Sequence, residues 1–395
     1  MGPKRSWKHW TELVTFRPEF VREGELVLPM KNMKTVFAAA ILCVAVGCQT
    51  IGPRSLRTTH PQYNHAISRT LDEQFLLNLV RLKYRDNPFF LEVSSVTTQQ
   101  SVETEMSASV KFLRGGDTLT PSAGMTYKET PTISYAPLRG DQFLKQILSP
   151  VPLEAVLILT QSGWSVERVV SICVERVNGL DNASNASGPT PAREPRFEKF
   201  QAMVGILREL QLADALELGA APCLADANGK MRSGNDLVLR LRPDAALAPR
   251  MVRLKELLGV PNAGNELRLT NNFFNRPENG LAVRTRSMMG ILFYLSHNAE
   301  VPAAHREAGL VTRTLAADNT AFDWNKVTGG LFRVKSADAR PANAFVSVAY
   351  RGKWFYLADN DLESKSTFML LTQLFNLQAG QIKTVAPALT IGVGG

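Results

Sequence analysis

The sequence predicts an α+β protein of two domains, each an antiparallel β-sheet packed with α-helices. Apolar residues recur every three or four positions across residues 62–84, a spacing that predicts an amphipathic helix. Apolar and polar residues then alternate strictly across residues 101–112, which predicts a half-buried strand. Residues 179–195 are rich in Asn, Ser, Pro and Gly and lack an apolar period, so we expect a linker between the domains there.

The first domain is predicted to contain a helix, an antiparallel sheet and three further helices. The first helix ends at Asn87-Pro88, since proline disfavours a continuing helix. A turn is expected at Gly115-Gly116-Asp117, within a meander of four short strands: "FFLEVSSV", "SVETEMSASVKF", "GMTYK" and "TISYAPL". The further helices are expected at 141–148, 153–161 and 166–178.

The second domain is predicted to combine helices with short strands. Helices are expected at 196–218, 247–258, 282–296 and 362–378. Strands are expected in "LVLRLRP", "ELRLTNN", "GLFRVKS" and "AFVSVAYRGKWFYLAD". The last of these contains a tight hairpin at Arg351-Gly352, and either Asp359 or Asp361 can cap the final helix.

The composition is typical of a globular protein, and the charge pattern does not indicate a nucleic-acid partner. Hydrophobic residues make up 45% of the chain and charged residues 21%. The formal net charge is +9, and +6 remains when the seven basic and four acidic residues before Cys48 are set aside. Basic residues are interleaved with acidic ones and form no block of five or more, so no basic stripe is available for nucleic acid.

A short apolar run, from Val36 to Cys48, lies near the start of the chain. Its thirteen residues would span about 20 Å as a helix, against about 30 Å for the hydrocarbon core of a bilayer, so the run is too short to cross a membrane. The Lys-bearing "MKNMK" precedes it and small residues close it, which is the order of a cleaved signal peptide.

The end of this run, Ala45-Val46-Gly47-Cys48, resembles the lipobox of bacterial lipoproteins, with Ala45 in place of the usual Leu. The resemblance implies cleavage between Gly47 and Cys48 and a diacylglycerol on the sulfur of Cys48. Two or three acyl chains make a stable membrane anchor. Gln49 then favours the periplasmic side of the outer membrane. The order of elements that follows also resembles uncharacterised bacterial envelope lipoproteins of unassigned function.

The 29 residues before Met30 are not needed for a lipoprotein signal peptide. We therefore expect translation to start at Met30 or Met33, with Glu23-Gly24-Glu25 reflecting a purine-rich ribosome-binding sequence. The predicted organisation is a mis-assigned start at 1–29, a signal peptide at 30–47, a tether at 48–61, an N-terminal domain at 62–180, a linker at 181–196 and a C-terminal domain at 197–395.

Few residues in the sequence indicate chemistry. Cys173 and Cys223 lie far apart, with no C-x-x-C or H-E-x-x-H motif, so no metal site and no cofactor is predicted. The two thiols either stay free or pair across the linker. "SHNAEVPAAH" places His297, Glu300 and His305 within nine residues, which makes them the candidate catalytic residues of a hydrolytic site.

Two tryptophans, Trp324 and Trp354, are candidates for stacking on sugar rings, with packing in the core as the alternative. The histidines have a structural alternative too, since a protonated His297 would suit the negative end of its helix. We therefore expect a lipid-anchored, periplasm-facing envelope protein with a protein-interaction or assembly role and an unidentified partner. The alternative is a periplasmic hydrolase or glycan-binding protein that uses the His297/Glu300/His305 region.

Overall fold

The computed structural model describes residues 51–111, 118–222, 235–274, 280–379 and 389–392. Three sheets packed with helices make up this part of the chain, so the predicted α+β class is confirmed. Contacts between residues group the chain into two compact units. The larger unit comprises Gln62–Gln99 and Glu129–Gly395, and the smaller one comprises Met1–Pro61 and Gln100–Lys128.

The described helices begin and end close to several of the predicted bounds. They are α1 (Ile51–Lys83), α2 (Asp141–Leu148), α3 (Leu153–Gln161), α4 (Val166–Cys173), α5 (Glu198–Leu212), α6 (Ala248–Leu257), α7 (Met288–Ser296), α8 (Ala303–Glu307), α9 (Asn325–Thr328) and α10 (Leu362–Ala379). The bounds of α2 and α3 agree with the prediction. Asp361 accepts a hydrogen bond from the backbone N–H of Ser364 at 3.1 Å, which confirms it as the cap of α10.

The strands form one six-stranded and two three-stranded sheets. They are β1 (Leu91–Lys111), β2 (Thr118–Pro137), β3 (Val174–Val177), β4 (Leu180–Asp181), β5 (Leu216–Pro222), β6 (Asn235–Leu241), β7 (Glu266–Thr270), β8 (Gly280–Thr285), β9 (Lys335–Ala337), β10 (Ala344–Tyr350), β11 (Lys353–Ala358) and β12 (Leu389–Gly392). The sheet orders are β4-β3-β8-β7-β6-β5, β10-β11-β9 and β1-β2-β12. Because β7 and β8 run parallel, the six-stranded sheet is mixed, which corrects the expectation of antiparallel sheets throughout.

Two long strands replace the predicted meander of four short ones. β1 has 21 residues and β2 has 20. The stretch "TTQQ" between the first two predicted strands contains no Gly or Pro to interrupt the backbone, so one strand continues through it. The predicted turn at Gly115-Gly116-Asp117 lies outside the described residues. β1 and β2 are neighbours in one sheet and together form a ribbon.

Three predicted helices are shorter in the structure because part of each is a strand. The chain leaves α4 at Cys173, leaves α5 at Leu212, and forms β8 before α7 begins at Met288. Apolar runs without a breaker do not distinguish a buried helix from a buried strand. Pairing decides the outcome, since β3 has β4 and β8 as hydrogen-bonded neighbours and β5 has β6.

The first helix is longer than predicted, because α1 begins at Ile51 and continues through Pro61. Residues 51–61, expected to be a tether, are thus helical, and the earlier part of the predicted tether is outside the described residues. None of the helices in the described ranges combines the length and the apolar character that crossing a bilayer requires. In the C-terminal half of α1, Phe75, Leu76, Leu79 and Val80 are at most 3% exposed and form a buried face.

Two amides on α1 hold the start of β1. The side chain of Asn78 both donates to the carbonyl of Phe89 at 2.8 Å and accepts from its N–H at 2.9 Å. Gln74, one turn earlier, makes the same pair of bonds with Leu91, at 3.0 and 2.7 Å. Phe89 and Leu91, two positions apart, thus each exchange a pair of hydrogen bonds with a side-chain amide of α1, as alternate residues do with a neighbouring strand.

Apolar side chains form two buried clusters within the larger unit. The first is rich in Phe and draws on α1, α2, α7, α10 and β11. The second lies where α4, α5 and α6 face the six-stranded sheet, and its residues fall between 166 and 283. The first cluster uses residues on both sides of that range, so neither cluster divides at 181–196.

The predicted linker, 181–196, is partly buried, and its exposed residues lie mostly in 192–196. Asn182, Ala183, Ala186 and Thr190 are at most 3% exposed. The prediction that this segment lacks long helices or strands is confirmed, since only the end of β4 and a short helical turn at Ser184–Ala186 are regular. A buried arginine, Arg286, holds this segment through hydrogen bonds to Asn182 and Ser187.

Candidate functional site

The C-terminal end of α1 contacts both of the histidines predicted as catalytic. Lys83 Nζ donates to the carbonyl of His297 at 2.8 Å. The hydroxyl of the next residue, Tyr84, lies 2.7 Å from Nδ1 of His305. Lys83 is 6% exposed and Tyr84 5%, so both contacts are within the interior. We call these four residues, with Thr190, the helix-end cluster.

His297 is enclosed by hydrogen bonds on both ring nitrogens. Nε2 is 2.9 Å from the carbonyl of Ala186, and Nδ1 is 3.3 Å from Oγ1 of Thr190. A carbonyl can only accept, so Nε2 carries the hydrogen and Nδ1 accepts from the Thr190 hydroxyl. Burial, reinforced by the charge of Lys83, lowers the pKa of His297 to about 3. The imidazole is therefore neutral at pH 7, and its lone pair is already used.

His305 is held at Nδ1 by the side chain of Tyr84. Burial raises the pKa of Tyr84 to about 12, so its hydroxyl keeps its proton. Asp86 accepts hydrogen bonds from the hydroxyl of Tyr350 and from Arg351, the latter at 2.8 Å. These bonds hold the pKa of Asp86 below its usual value. The guanidinium of Arg351 lies 5.3 Å from the ring of Tyr84, which connects this ion pair to the helix-end cluster.

Glu300 does not share these contacts. It is exposed, and its carboxylate accepts from the backbone N–H of Ser336 at 3.3 Å. Its own N–H donates to the carbonyl of Val334 at 2.9 Å, which ties the loop after α7 to the start of β9. The hydrogen bonds of Glu300 are therefore made with the backbone in and next to β9, and they do not involve His297 or His305.

The two tryptophans occupy different places. Trp324 is 8% exposed, stacks against His297 at 4.5 Å between ring centroids, and donates from Nε1 to Oγ1 of Thr314 at 3.2 Å. Trp354 lies on β11 and is half-buried, with the guanidinium of Arg340 5.4 Å from its ring. Of the predicted site residues, the structure thus brings His297 and Trp324 into contact. Glu300 and Trp354 lie apart from that contact.

The predicted lipidation and cleavage residues, Cys48 and Gly47, lie outside the described residues, as does Cys223. Cys173 is a buried free thiol, and burial raises its pKa to about 12, which suits a core residue rather than a nucleophile. In the described ranges, no group of three or more His, Cys, Asp or Glu side chains is placed to hold a metal ion.

A fully buried arginine, Arg286, was not identified from the sequence. Its Nη1 lies 3.2 Å from the carbonyl oxygens of Ser171 and Ile172 and 2.9 Å from that of Val174, at the end of α4. The last carbonyls of a helix have no partner within the helix, and a cation there interacts favourably with the helix dipole. Arg286 thus caps α4 from the interior.

The same guanidinium fixes the predicted linker. Nη2 donates to the carbonyl of Asn182, and Nε donates to Oγ of Ser187 at 3.0 Å. The ring of Tyr294 lies 3.9 Å from the guanidinium carbon, a cation–π contact. The sequence signal for it is an Arg two positions before the apolar run "MMGILF" and after the apolar stretch "LAV".

Lys83 and Arg286 share one physical arrangement. Lys83 binds the carbonyl of His297, the residue that ends α7, as Arg286 binds the carbonyls that end α4. Neither cation lies within 4.0 Å of a carboxylate among the residues described. Burial lowers the pKa of Lys83 to about 8. Both cations are therefore bonded to carbonyl groups at helix ends instead of to carboxylates. We infer that Lys83 and Arg286 have structural roles.

Comparisons of the chain with family models, with curated proteins and with solved structures gave no match.

Proposed function

We propose that the protein is a lipid-anchored, periplasm-facing envelope protein whose role is protein interaction or assembly. The anchor in this proposal is an acylated Cys48, for the reasons given by the apolar run and the lipobox-like residues before it. Gln49 supports the outer membrane as its location. A nucleic-acid partner has no support in the charge pattern.

The observation that carries the assembly role is the ribbon of β1 and β2. β12 pairs with four residues of β2, from Thr132 to Tyr135, so β1 and the short β12 are the outer strands of this sheet among the described residues. Two-stranded ribbons are at best marginally stable in water, and an outer strand presents unpaired N–H and C=O groups to any chain that can add a strand.

Proline distribution favours β1 as the strand that accepts a partner. β2 contains Pro121, Pro131 and Pro137, each without an N–H to donate. β1 contains no proline in 21 residues. Every residue of β1 therefore carries an N–H, of which that of Leu91 already donates to Gln74, whereas β2 carries the residues by which proteins commonly block an edge. We infer that a partner strand adds to β1.

The buried state of the candidate histidines weighs against the alternative of a hydrolase or glycan-binding protein. His297 has both nitrogens bonded, and Trp324 is covered, so neither can meet a substrate without local unfolding. The assembly role requires no such opening.

A site-specific photo-crosslinker tests the assembly role in intact envelopes. We place it at Val96, a β1 residue that is 38% exposed, and as a control at Val252, a residue of α6 that is 57% exposed. A discrete adduct from Val96 that Val252 does not give is expected, and its mass distinguishes a second copy of the chain from another partner. No adduct from Val96, or the same adducts from both positions, would contradict the assembly role.

A further inference from the structure

A cavity of about 70 Å³ lies within the second apolar cluster, between α3, α4 and α5 and one face of the six-stranded sheet. All sixteen residues that line it are Leu, Val or Met. It is separate from the helix-end cluster and shares no residue with it. Cavities of this size in well-packed interiors are few, so its position calls for an explanation.

The walls of the cavity consist of nine Leu, six Val and one Met side chain, none of which carries a ring. Val156, Val166 and Val170 line it from the helices, and Val177 and Val283 line it from the sheet. The first apolar cluster, by contrast, fills its interior with phenylalanine rings, such as Phe75, Phe90 and Phe375 in mutual contact. No aromatic ring lines the cavity, so the space between the layers stays open.

The chemistry of the walls excludes water and selects an aliphatic ligand. A buried water needs two to four polar partners, and none of the lining side chains offers one. Apolar cavities of about 150 Å³ stay dry and bind small apolar molecules. A cavity of roughly half that volume fits the end of a narrow hydrocarbon chain rather than a ring system.

The partly exposed members of the lining mark where such a chain would enter. They are Leu153 and Leu157 on α3, and Leu218, Leu237 and Leu269 on β5, β6 and β7. The remaining lining residues are buried. The entrance therefore lies between α3 and the outer strands of the sheet. No charged side chain lines it, so a polar headgroup would stay in solvent.

We propose that this cavity binds the end of a fatty acyl chain. The tail enters between α3 and β5, and the buried valines of α3, α4 and β8 surround its last carbons. This binding site is independent of the anchor at Cys48 and of the strand edge of β1, so it stands whether or not those proposals hold.

Binding of decanoate to the full chain tests this proposal, measured by the methyl NMR shifts of Val and Leu residues. Val156→Phe, which fills the cavity from α3, is compared with Ile158→Phe, which changes an outward residue of α3 that is 53% exposed. Val170→Ile, a milder filling change, guards against misfolding of the first variant. Saturable shifts at the lining methyls are expected in the unsubstituted chain and in Ile158→Phe.

Affinity is expected to fall at least tenfold in Val156→Phe, where the ring displaces two or more methylene groups of the ligand, and about fourfold in Val170→Ile, where the added methylene displaces about one. Xenon, as a probe that matches the cavity in size, should shift the same methyls and lose this effect in Val156→Phe. Absence of saturable binding in the unsubstituted chain, or equal affinity in all the variants, would overturn the proposal.

Discussion

The strongest prediction of the structure concerns Arg286, whose guanidinium supports two segments at once. Replacing it by Leu removes the donors to the carbonyls at the end of α4 and to Asn182 and Ser187. The carbonyls of Ser171 and Val174 keep one donor each, the amide of Asn182, at 2.8 and 2.7 Å. The remaining acceptors, at Ile172, Asn182 and Ser187, lose the guanidinium.

The size of the effect follows from those acceptors. A buried acceptor left without its donor costs about 1–3 kcal/mol, and the cation–π contact with Tyr294 adds about 1 kcal/mol. The new leucine recovers part of this through apolar burial. We expect the free energy of unfolding to fall by about 4 kcal/mol.

Arg284 provides a matched control two residues earlier on β8. Its side chain is 53% exposed and lies 4.0 Å from Glu175, so Arg284→Leu should change stability by less than about 1 kcal/mol. Urea unfolding followed by circular dichroism measures both variants. With a slope of about 3 kcal/mol per molar urea, the midpoint of Arg286→Leu should shift by about 1.3 M.

Hydrogen exchange supplies a second readout, since amides of the 182–187 segment should exchange faster in Arg286→Leu alone. If the two variants unfold at the same urea concentration, the assignment of Arg286 as the support of this segment is refuted.

Three further predictions concern the interior. His297 has its pKa lowered to about 3 from an ordinary 6.5, so its stabilisation is complete above pH 6.5 and is lost as pH falls toward 3, at about 1.4 kcal/mol per pH unit. In the unsubstituted chain this titration lowers the free energy of unfolding by about 2 kcal/mol between pH 7 and pH 5, and His297→Gln should abolish that decrease, as measured by urea unfolding. Asn78→Leu should cost about 2–4 kcal/mol in the same assay, because the N–H and carbonyl of Phe89 lose their partners. With the other cysteines replaced by serine, the Cys173 thiol should react with a disulfide reagent only in urea, since it is fully buried with its pKa raised to about 12.

Each of these has an outcome that contradicts it. The histidine argument fails if His297→Gln retains the pH dependence of the unsubstituted chain. Gln74→Leu is the control for Asn78, because Gln74 makes the same pair of bonds from a half-buried position and should lose less stability. If Gln74→Leu loses as much stability as Asn78→Leu or more, the greater burial of Asn78 does not determine the cost of losing its hydrogen bonds. Rapid native labelling of Cys173 would show that it is accessible.

Local signals in the sequence predicted several elements well. The bounds of α2 and α3 followed from helical spacing and flanking prolines. The hairpin of β10 and β11 followed from Arg351-Gly352, whose φ angles of 48° and 76° suit the tight turn that joins such strands. In each case the decisive residues are close together in the chain.

What the sequence could not supply depends on distant residues. The switch from α4 to β3 has no local breaker and follows from pairing with β8. The polar segment around Asn182 resembles a loop, but Arg286, 104 positions away, buries it. His297 and His305 were found from their spacing, whereas Lys83 and Tyr84 lie 214 and 221 positions from them. Their structural role was therefore not readable from the local pattern.

The proposed attachment to the membrane through Cys48 is tested by metabolic labelling with a radioactive fatty acid. We expect label on the protein in the outer-membrane fraction and none on Cys48→Ala, which should also retain its signal segment. An unlabelled mature protein in the soluble periplasmic fraction would contradict it.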